Sequence, residues 1–395
     1  MRLDVRKLIP TTIRRHVKKA LGLHALQSRV EKLKRQLELP EPETLPIAFW
    51  YDWNYCEPNV LNALRDLCRP GDVVWDVGAN AGALSLLMSR LVGPRGVVCA
   101  FEASRRIVDK CQYNLCRNGC TNVQVFHCAV YHTSYEVVKI YAGAQLNDSL
   151  IASNTPGREY DLIKTIALDD FVAHSGLVPD LIKMDIEGTE YEALCGMPKL
   201  LENTRPHLIL EQQPSDMRCH DLICSVGYIA VDLLTYRTIR SESDFSPGTA
   251  VANILFIHES RIDQTPYAPP LQREAVMTIP GRAFKVAADG SRELAEQIRL
   301  GPGRFLIELD FSADGTDNEV MTGVEADGRP IFRYHTNTYF ISTSYRQWVI
   351  ALHSEHALNI YFRFLNGTRD GTLDFRSVEI SRVTNFDDVP PPLVE

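Results

Sequence analysis

Between residues 48 and 258 the chain alternates short, densely apolar runs with stretches whose apolar positions recur every three or four residues. Val73, Val74 and Trp75, and then "GVVCAFE", lack the polar alternate positions of a half-exposed strand, so they predict strands covered on both faces. Between them Leu84, Leu86, Leu87 and Leu91 give the apolar face of a helix. Further strand-like runs follow at "NVQVFHCAV", "DLIKMDIEG", "RPHLILEQQ", "YIAVDLLT" and "NILFIHE". Strands alternating with helices predict an α/β domain with a doubly wound, mostly parallel sheet. Ligands bind such sheets at the carboxyl ends of the strands, an edge that should carry Asp76, Glu102, Cys128 with Ala129, Asp185 and Glu211.

The pattern changes beyond "DQTPYAPPLQ". Runs such as "RFLIELDFSADG", "RPIFRYHTNTYFIST" and "TLDFRSVEISRV" are short, alternating and separated by Gly, Asp and Asn, which predicts an antiparallel β-sandwich over residues 271–386. In pattern it is similar to jelly-roll modules that bind carbohydrate, and it should hold a core of its own and fold alone. Tyr334, Tyr339, Tyr345, Trp348 and Tyr361 either form a sugar-stacking face or fill that core. At the other end, Ile9, Ile13, Val17 and Leu21 lie at helical spacing among Arg14, Arg15, Lys18 and Lys19, the pattern of a basic amphipathic helix on a membrane surface. Leu23, Leu26, Val30, Leu33 and Leu37 follow with a short coiled-coil spacing, which an ordinary docked helix would also show. Three parts result: a helical segment over 1–40, an α/β domain over 45–260 and the sandwich.

Candidate chemistry concentrates in "VVWDVGANAGALSLLMSR". A strand that breaks at Asp76, passes Gly78, Asn80 and Gly82 and resumes as a helix presents a tight turn to a ligand at the helix N-terminus. The second strand ends in Glu102, 26 residues after Asp76. An acid at that place in doubly wound nucleotide sites takes the ribose hydroxyls. A nicotinamide-dependent oxidoreductase would space three glycines as GxGxxG, which Gly78 and Gly82 do not fit. A module that binds nucleotide or sugar without catalysis is the other alternative, disfavoured by the joint presence of Asp76, Glu102 and Asp185.

Composition sharpens this picture in two places. The chain of 395 residues is 45% hydrophobic and 23% charged, as in soluble globular proteins, and no apolar run reaches the ~18 residues of a spanning helix. The opening "MRLDVRKLIP" lacks the pattern of a secretory leader, and ten cysteines without paired CxxC spacing read as reduced thiols, so a cytoplasmic protein is expected. Residues 1–40 carry eleven Lys and Arg against Asp4, Glu31 and Glu38, a balance of +8 in a chain whose net charge is −8, leaving −16 for the rest. An acidic body with a basic tail argues against nucleic acid and for contact of residues 1–22 with an anionic membrane face. Self-association is left open.

The motifs "DVGANAG", "FEAS", "TIALDDF", "LIKMDIEGTEYEAL", "RPHLILE" and "NILFIH", in this order, resemble the FkbM family of S-adenosylmethionine-dependent O-methyltransferases. The resemblance covers roughly residues 54–258 and implies a Rossmann-like domain with S-adenosylmethionine as cofactor. It implies Asp76, Gly78 and Gly82 around the methionine part of that cofactor and Glu102 on its ribose. Many methyltransferases carry an acid near the third strand end, where this chain has Cys128 and Ala129. Adenine recognition then falls to backbone groups there or to a neighbour such as Asn122. Methyl transfer to a hydroxyl needs a proton acceptor, for which Asp185 is the candidate. Alternatively Asp185, with Glu211, could ligate a divalent metal that acidifies the hydroxyl. Lys183 either orients the acceptor or pairs with an acid. Thr189 and Glu192 fit a capping box, which leaves Glu190 in the first helical turn. The acceptor expected is a sugar hydroxyl in a glycolipid or surface polysaccharide built at the inner membrane face.

Overall fold

The computed structural model describes residues 58–384 apart from 143–147, 152–159, 246–250, 268–271, 289, 315–318, 338–346, 353 and 365–371. The expected helices of residues 1–40, and Tyr339 and Tyr345, lie outside the described residues. Residues 47–395 form one compact unit.

Its first half is built on an eight-stranded sheet. The strands are β1 (Val73–Val77), β2 (Val97–Glu102), β3 (Val123–His127), β7 (Leu181–Met184), β8 (His207–Gln212), β9 (Tyr228–Asp232), β10 (Thr238–Ile239) and β11 (Ala252–His258). In space they run β10-β9-β11-β8-β7-β1-β2-β3. The five from β3 to β8 are parallel, and β11 inserts antiparallel to both β8 and β9. Helices α1 (Pro58–Leu67), α2 (Ala83–Val92), α3 (Arg105–Arg117), α4 (Leu168–Ser175), α5 (Glu190–Cys195) and α6 (Arg218–Cys224) accompany the sheet. The unbroken apolar runs follow from burial on both faces. Trp75, Val77 and Phe101 enter the core on one side, and Val74 and Val98 enter the core on the other. Trp75 is fully buried, with edge-on ring contacts to Phe101 at 5.8 Å and Phe171 at 5.3 Å.

Between β3 and α4 the chain leaves the main sheet. The two-residue strand β4 (Ala129–Val130) pairs with β6 (Tyr160–Ile166), and β6 pairs antiparallel with β5 (Val137–Tyr141). Ile140 and Ile163 turn inward onto Ala129, so this hairpin covers the carboxyl end of β3.

The C-terminal half is a sandwich of two antiparallel sheets. One holds β12 (Arg273–Pro280), β16 (Gly303–Asp314), β19 (Gln347–Leu352) and β21 (Thr372–Val383). The other holds β13 (Phe284–Val286), β14 (Arg292–Leu294), β15 (Ile298–Leu300), β17 (Glu319–Ala326), β18 (Arg329–Asn337) and β20 (His356–Phe364). Phe305, Ile307, Ile350, Val378, Val324, Ile360 and Phe362 meet between the sheets. One end of the outer face of the four-stranded sheet is buried as well, while Asp310 and Glu379 on the same face are exposed. Leu306, Val349 and Val383 join Val60, Leu61, Leu64, Leu233 and Leu255 of the α/β half in a shared core. That burial explains why "RFLIEL" reads apolar at consecutive positions, and excision of the sandwich would expose Leu306, Val349 and Val383 to water. Tyr361 settles into the interior, its ring against Gly323 and under the Arg363 guanidinium at 3.9 Å, so it is no part of a stacking surface.

Candidate functional site

A cavity of about 320 Å³ opens at the carboxyl ends of β1, β2, β3 and β7. Asp76, Gly78, Asn80, Glu102, Cys128, Ala129, Lys183 and Asp185 all line it. The turn after β1 is held from two sides. Gly78 and Ala79 donate their N–H groups to Phe101 O at 3.0 and 2.9 Å, and the Asp185 N–H bonds Val77 O at 3.0 Å. Gly78, with φ 84°, has no room for a Cβ, which would lie 1.7 Å from the carbonyl oxygen of Asp185. The close approach that the glycine permits is therefore the β7 turn itself.

Glu102 is anchored by main-chain amides. Its Oε2 accepts from Asn80 N–H at 2.8 Å and its Oε1 from Ser104 N–H at 2.7 Å. Burial pushes its carboxyl up to about 7 against the pull of those amides. Asn80, in the left-handed region at φ 50°, presents that N–H while its own Oδ1 accepts from Ala81 N–H at 2.7 Å. Asp76 is buried and its Oδ2 accepts from Ser85 Oγ, but Oδ1 has no hydrogen-bond partner among the described residues. Burial raises its carboxyl, with Lys183 opposing. An orphaned buried carboxylate oxygen is costly unless something fills the site. The lining sets Asp76, Glu102, Asp148, Asp185 and Glu187 against Lys183. This donor set fits S-adenosylmethionine, which brings a sulfonium and an ammonium to an acidic cleft. Asp76 would take the ammonium, and Glu102, with lone pairs to spare beyond its two amide bonds, the ribose hydroxyls.

The β7 end carries the remaining candidates. Lys183 is buried and its Nζ bonds Asp185 Oδ2 at 3.0 Å. Asp185 thus leaves the strand as a half-exposed carboxylate fixed by a buried cation. The expected capping box is absent: Thr189 makes no side-chain cap to α5. Glu190 instead turns back, accepting from Ile186 N–H at 2.8 Å and Gly188 N–H at 3.3 Å. Thr189 is itself buried and turns its Oγ1 to donate to Ile186 O at 3.5 Å rather than capping the helix amides. The turn between them puts Glu187 at φ 58° and into the cavity lining, where burial and the Asp185 charge push its carboxyl up.

Three expected residues stand elsewhere. Gly82 does not line the cavity; at φ 85° it caps α2, and a Cβ there would lie 3.0 Å from Cys111 Sγ. Glu211, one residue before the end of β8, is in register with Asn253 and is absent from the lining. Asn122 sits at the amino end of β3, where its Nδ2 donates to Ser89 O at 3.1 Å and Gly93 O at 2.8 Å, so it cannot reach an adenine at the carboxyl end. The metal alternative loses its second ligand with Glu211, and among the described residues no three His, Cys, Asp or Glu groups gather to hold an ion. Sequence reading missed Asp148, which lines the cavity and is gripped by Ser104 Oγ at 2.5 Å and by the Arg106 guanidinium. No periodicity marks a residue whose place is set by partners more than forty positions away.

A doubly wound sheet with one antiparallel strand inserted and a cavity at the carboxyl ends of its strands is a Rossmann-like architecture. Residues 76–229 match the family model of the Methyltransferase FkbM domain. The hexuronic acid methyltransferase AglP of Haloferax volcanii is 31% identical over 152 residues, which are 37% of this chain and 59% of that protein. A protein-L-isoaspartate O-methyltransferase of Methanococcoides burtonii is 29% identical over 121 residues, 28% of this chain and 60% of its own length. The chain therefore spans about three fifths of the length of these curated relatives. Among solved structures, the methyltransferase FkbM from Methylobacillus flagellatus aligns over 51% of each chain with 18% identity and a TM-score of 0.34.

One expected result follows from Glu102. Ribose hydroxyls donate best to the ionised carboxylate, so affinity for S-adenosylhomocysteine should rise as pH climbs through about 7. The unliganded fold should respond oppositely. It holds a proton that the unfolded chain releases near 4.5, so this group's stabilisation is lost as pH rises from there to about 7. Glu102→Ala should remove the pH dependence of binding and about 2 kcal/mol of affinity. Calorimetry of a folded variant with unchanged affinity would remove Glu102 from the cofactor site.

Proposed function

We propose that this protein transfers a methyl group from S-adenosylmethionine to a hydroxyl of a sugar, in a glycolipid or surface polysaccharide. The observation that carries the reading is Asp185, a carboxylate fixed by the buried Lys183 at 3.0 Å and facing the cofactor cavity from the end of β7. Bound S-adenosylmethionine supplies a methyl group activated on sulfonium. Asp185 accepts the hydroxyl proton as the acceptor oxygen forms its bond to the methyl carbon and the carbon–sulfur bond breaks, its electron pair remaining on sulfur. Lys183 holds that carboxylate in place. Asp76 and Glu102 bind the cofactor, and Phe101 and Ile140 present apolar surface that limits water around the methyl. The sugar is supported by the relative whose name records methylation of a hexuronic acid. Contact of residues 1–22 with an anionic membrane face would bring the enzyme to such an acceptor.

The test is incubation with methyl-labelled cofactor and extract of the producing cell, followed by identification of the labelled product. Label on a sugar oxygen supports the reading, and label on nitrogen, carbon or a protein carboxyl overturns it. In the same assay Asp185→Asn should lower turnover by on the order of 10² or more while S-adenosylhomocysteine still binds. Turnover near the wild-type rate would assign the proton to another acceptor.

A further inference from the structure

The outer face of the β5–β6 hairpin is apolar where a water-facing face would be polar. Its register sets Val137 opposite Lys164, Lys139 opposite Leu162 and Tyr141 opposite Tyr160, and directly opposed residues share a face. Val137 is 58% exposed, Leu162 65% and Tyr160 50%, with Tyr135, just before β5, at 67%. These are four of the seven large hydrophobic residues that stand exposed among the described residues. The inner face is already satisfied, since Ile140 and Ile163 pack on Ala129. The hairpin is thus apolar on both sides, and a cluster of this kind marks a surface that meets something else.

The charges on that face choose the occupant. Lys139 and Lys164 stand among the apolar side chains without an acid on the same face of either strand, and Lys139 Nζ lies 4.5 Å from the centre of the Tyr160 ring. The chain beyond residue 40 carries a net −16, so a basic, aromatic face is a local exception on an acidic body. The +8 of residues 1–40 is repelled by two lysines, which argues against the N-terminal segment as the cover. Tyrosines and aliphatic side chains between lysines suit the boundary between phospholipid headgroups and acyl chains, where rings sit at headgroup level and ammonium groups reach the phosphates. We propose that the outer face of the β5–β6 hairpin docks on an anionic phospholipid bilayer. Ile140, on the opposite face, lines the cofactor cavity, so docking sets that cavity close above the lipid. The contact does not depend on the methyl-transfer reading, and it accounts for how a lipid-linked acceptor would be met.

The experiment is sedimentation of the full chain with phosphatidylcholine vesicles, with and without phosphatidylglycerol. Wild-type protein should sediment with the anionic vesicles alone and be released by salt. Lys139→Gln with Lys164→Gln should weaken partitioning roughly thirty-fold, from the attraction of two lysines for an anionic surface. Tyr160→Ser with Leu162→Ser should weaken it at least tenfold. Both variants should bind S-adenosylhomocysteine as the wild type does, which shows that the fold is intact. Wild-type protein that ignores anionic vesicles, or variants that partition normally, would overturn the proposal, the latter leaving binding to the basic tail. Sedimentation equilibrium supplies the rival outcome: a wild-type dimer that Tyr160→Ser with Leu162→Ser dissociates, with vesicle binding unchanged, would make the face a contact between two copies.

Discussion

Arg304→Ala should cost the fold about 3–5 kcal/mol, among the largest single-residue losses in the molecule. Arg304, on β16 of the sandwich, is 1% exposed, and its Nη2 donates to Oδ1 of Asp66 near the end of α1, itself buried. Tyr267 Oη bonds the other oxygen, Asp66 Oδ2, at 2.7 Å. Truncating the arginine leaves a buried carboxylate with one neutral donor, and the penalty of an uncompensated charge far exceeds the net worth of the pair. Replacing both partners by apolar residues, as Arg304→Met with Asp66→Leu, should recover part of the loss, because the pair then strands no charge of its own, while the Tyr267 hydroxyl loses its acceptor. The effect should also reach the cavity. Helix α1 carries Leu61, which lines it, so weaker docking of the sandwich should lower S-adenosylhomocysteine affinity although no lining residue is substituted. Urea unfolding of the single and double variants is the measurement. A single-variant loss under about 1 kcal/mol would mean that water reaches the pair in solution.

This contact also marks where reading the sequence ended. Strands β1 and β2 were legible because burial on both faces erases polar alternation, and Asp76 with Glu102 because a strand–turn–helix followed by a second strand end has one common use. Asp185 and Lys183 were legible as a pair of charges at the end of an apolar run, although only coordinates show that they bond each other. The role of the sandwich was not. Its runs read as alternating strands with a core of their own, yet Leu306, Val349 and Val383 share a core with a helix that lies roughly 240 to 320 residues earlier in the chain. Nothing local in "RFLIEL" names such a partner; its consecutive apolar positions were the signal that both faces are covered. The same limit hid Asp148. It also hid the part Glu190 plays in the turn below Asp185, since spacing places an acid in the first helical turn but does not report the Ile186 and Gly188 amides it accepts from.

The second large effect belongs to Gly78. An added methyl there would meet the Asp185 carbonyl oxygen at 1.7 Å, and that atom is backbone, so no rotamer change relieves the clash. Neither side can retreat cheaply. Gly78 is tied to β2 through its N–H to Phe101 O at 3.0 Å, and Asp185 to β1 through its N–H to Val77 O at 3.0 Å. The φ of 84° adds a strain that an alanine bears poorly. Gly78→Ala should therefore destabilise the protein by roughly 3 kcal/mol or more, combining strain with forced separation of two strand ends. It should also displace Asp185 by on the order of 1 Å, enough to lower turnover about 10²-fold. Gly71→Ala separates the two causes. Gly71 has φ 100° but nothing within 4 Å of the new methyl, so it bears strain alone and should lose only about 1 kcal/mol. Thermal unfolding of both variants decides the matter. Equal losses would show that the turn has slack to spare, and the close packing of the β1 and β7 turns would then no longer explain why position 78 is glycine.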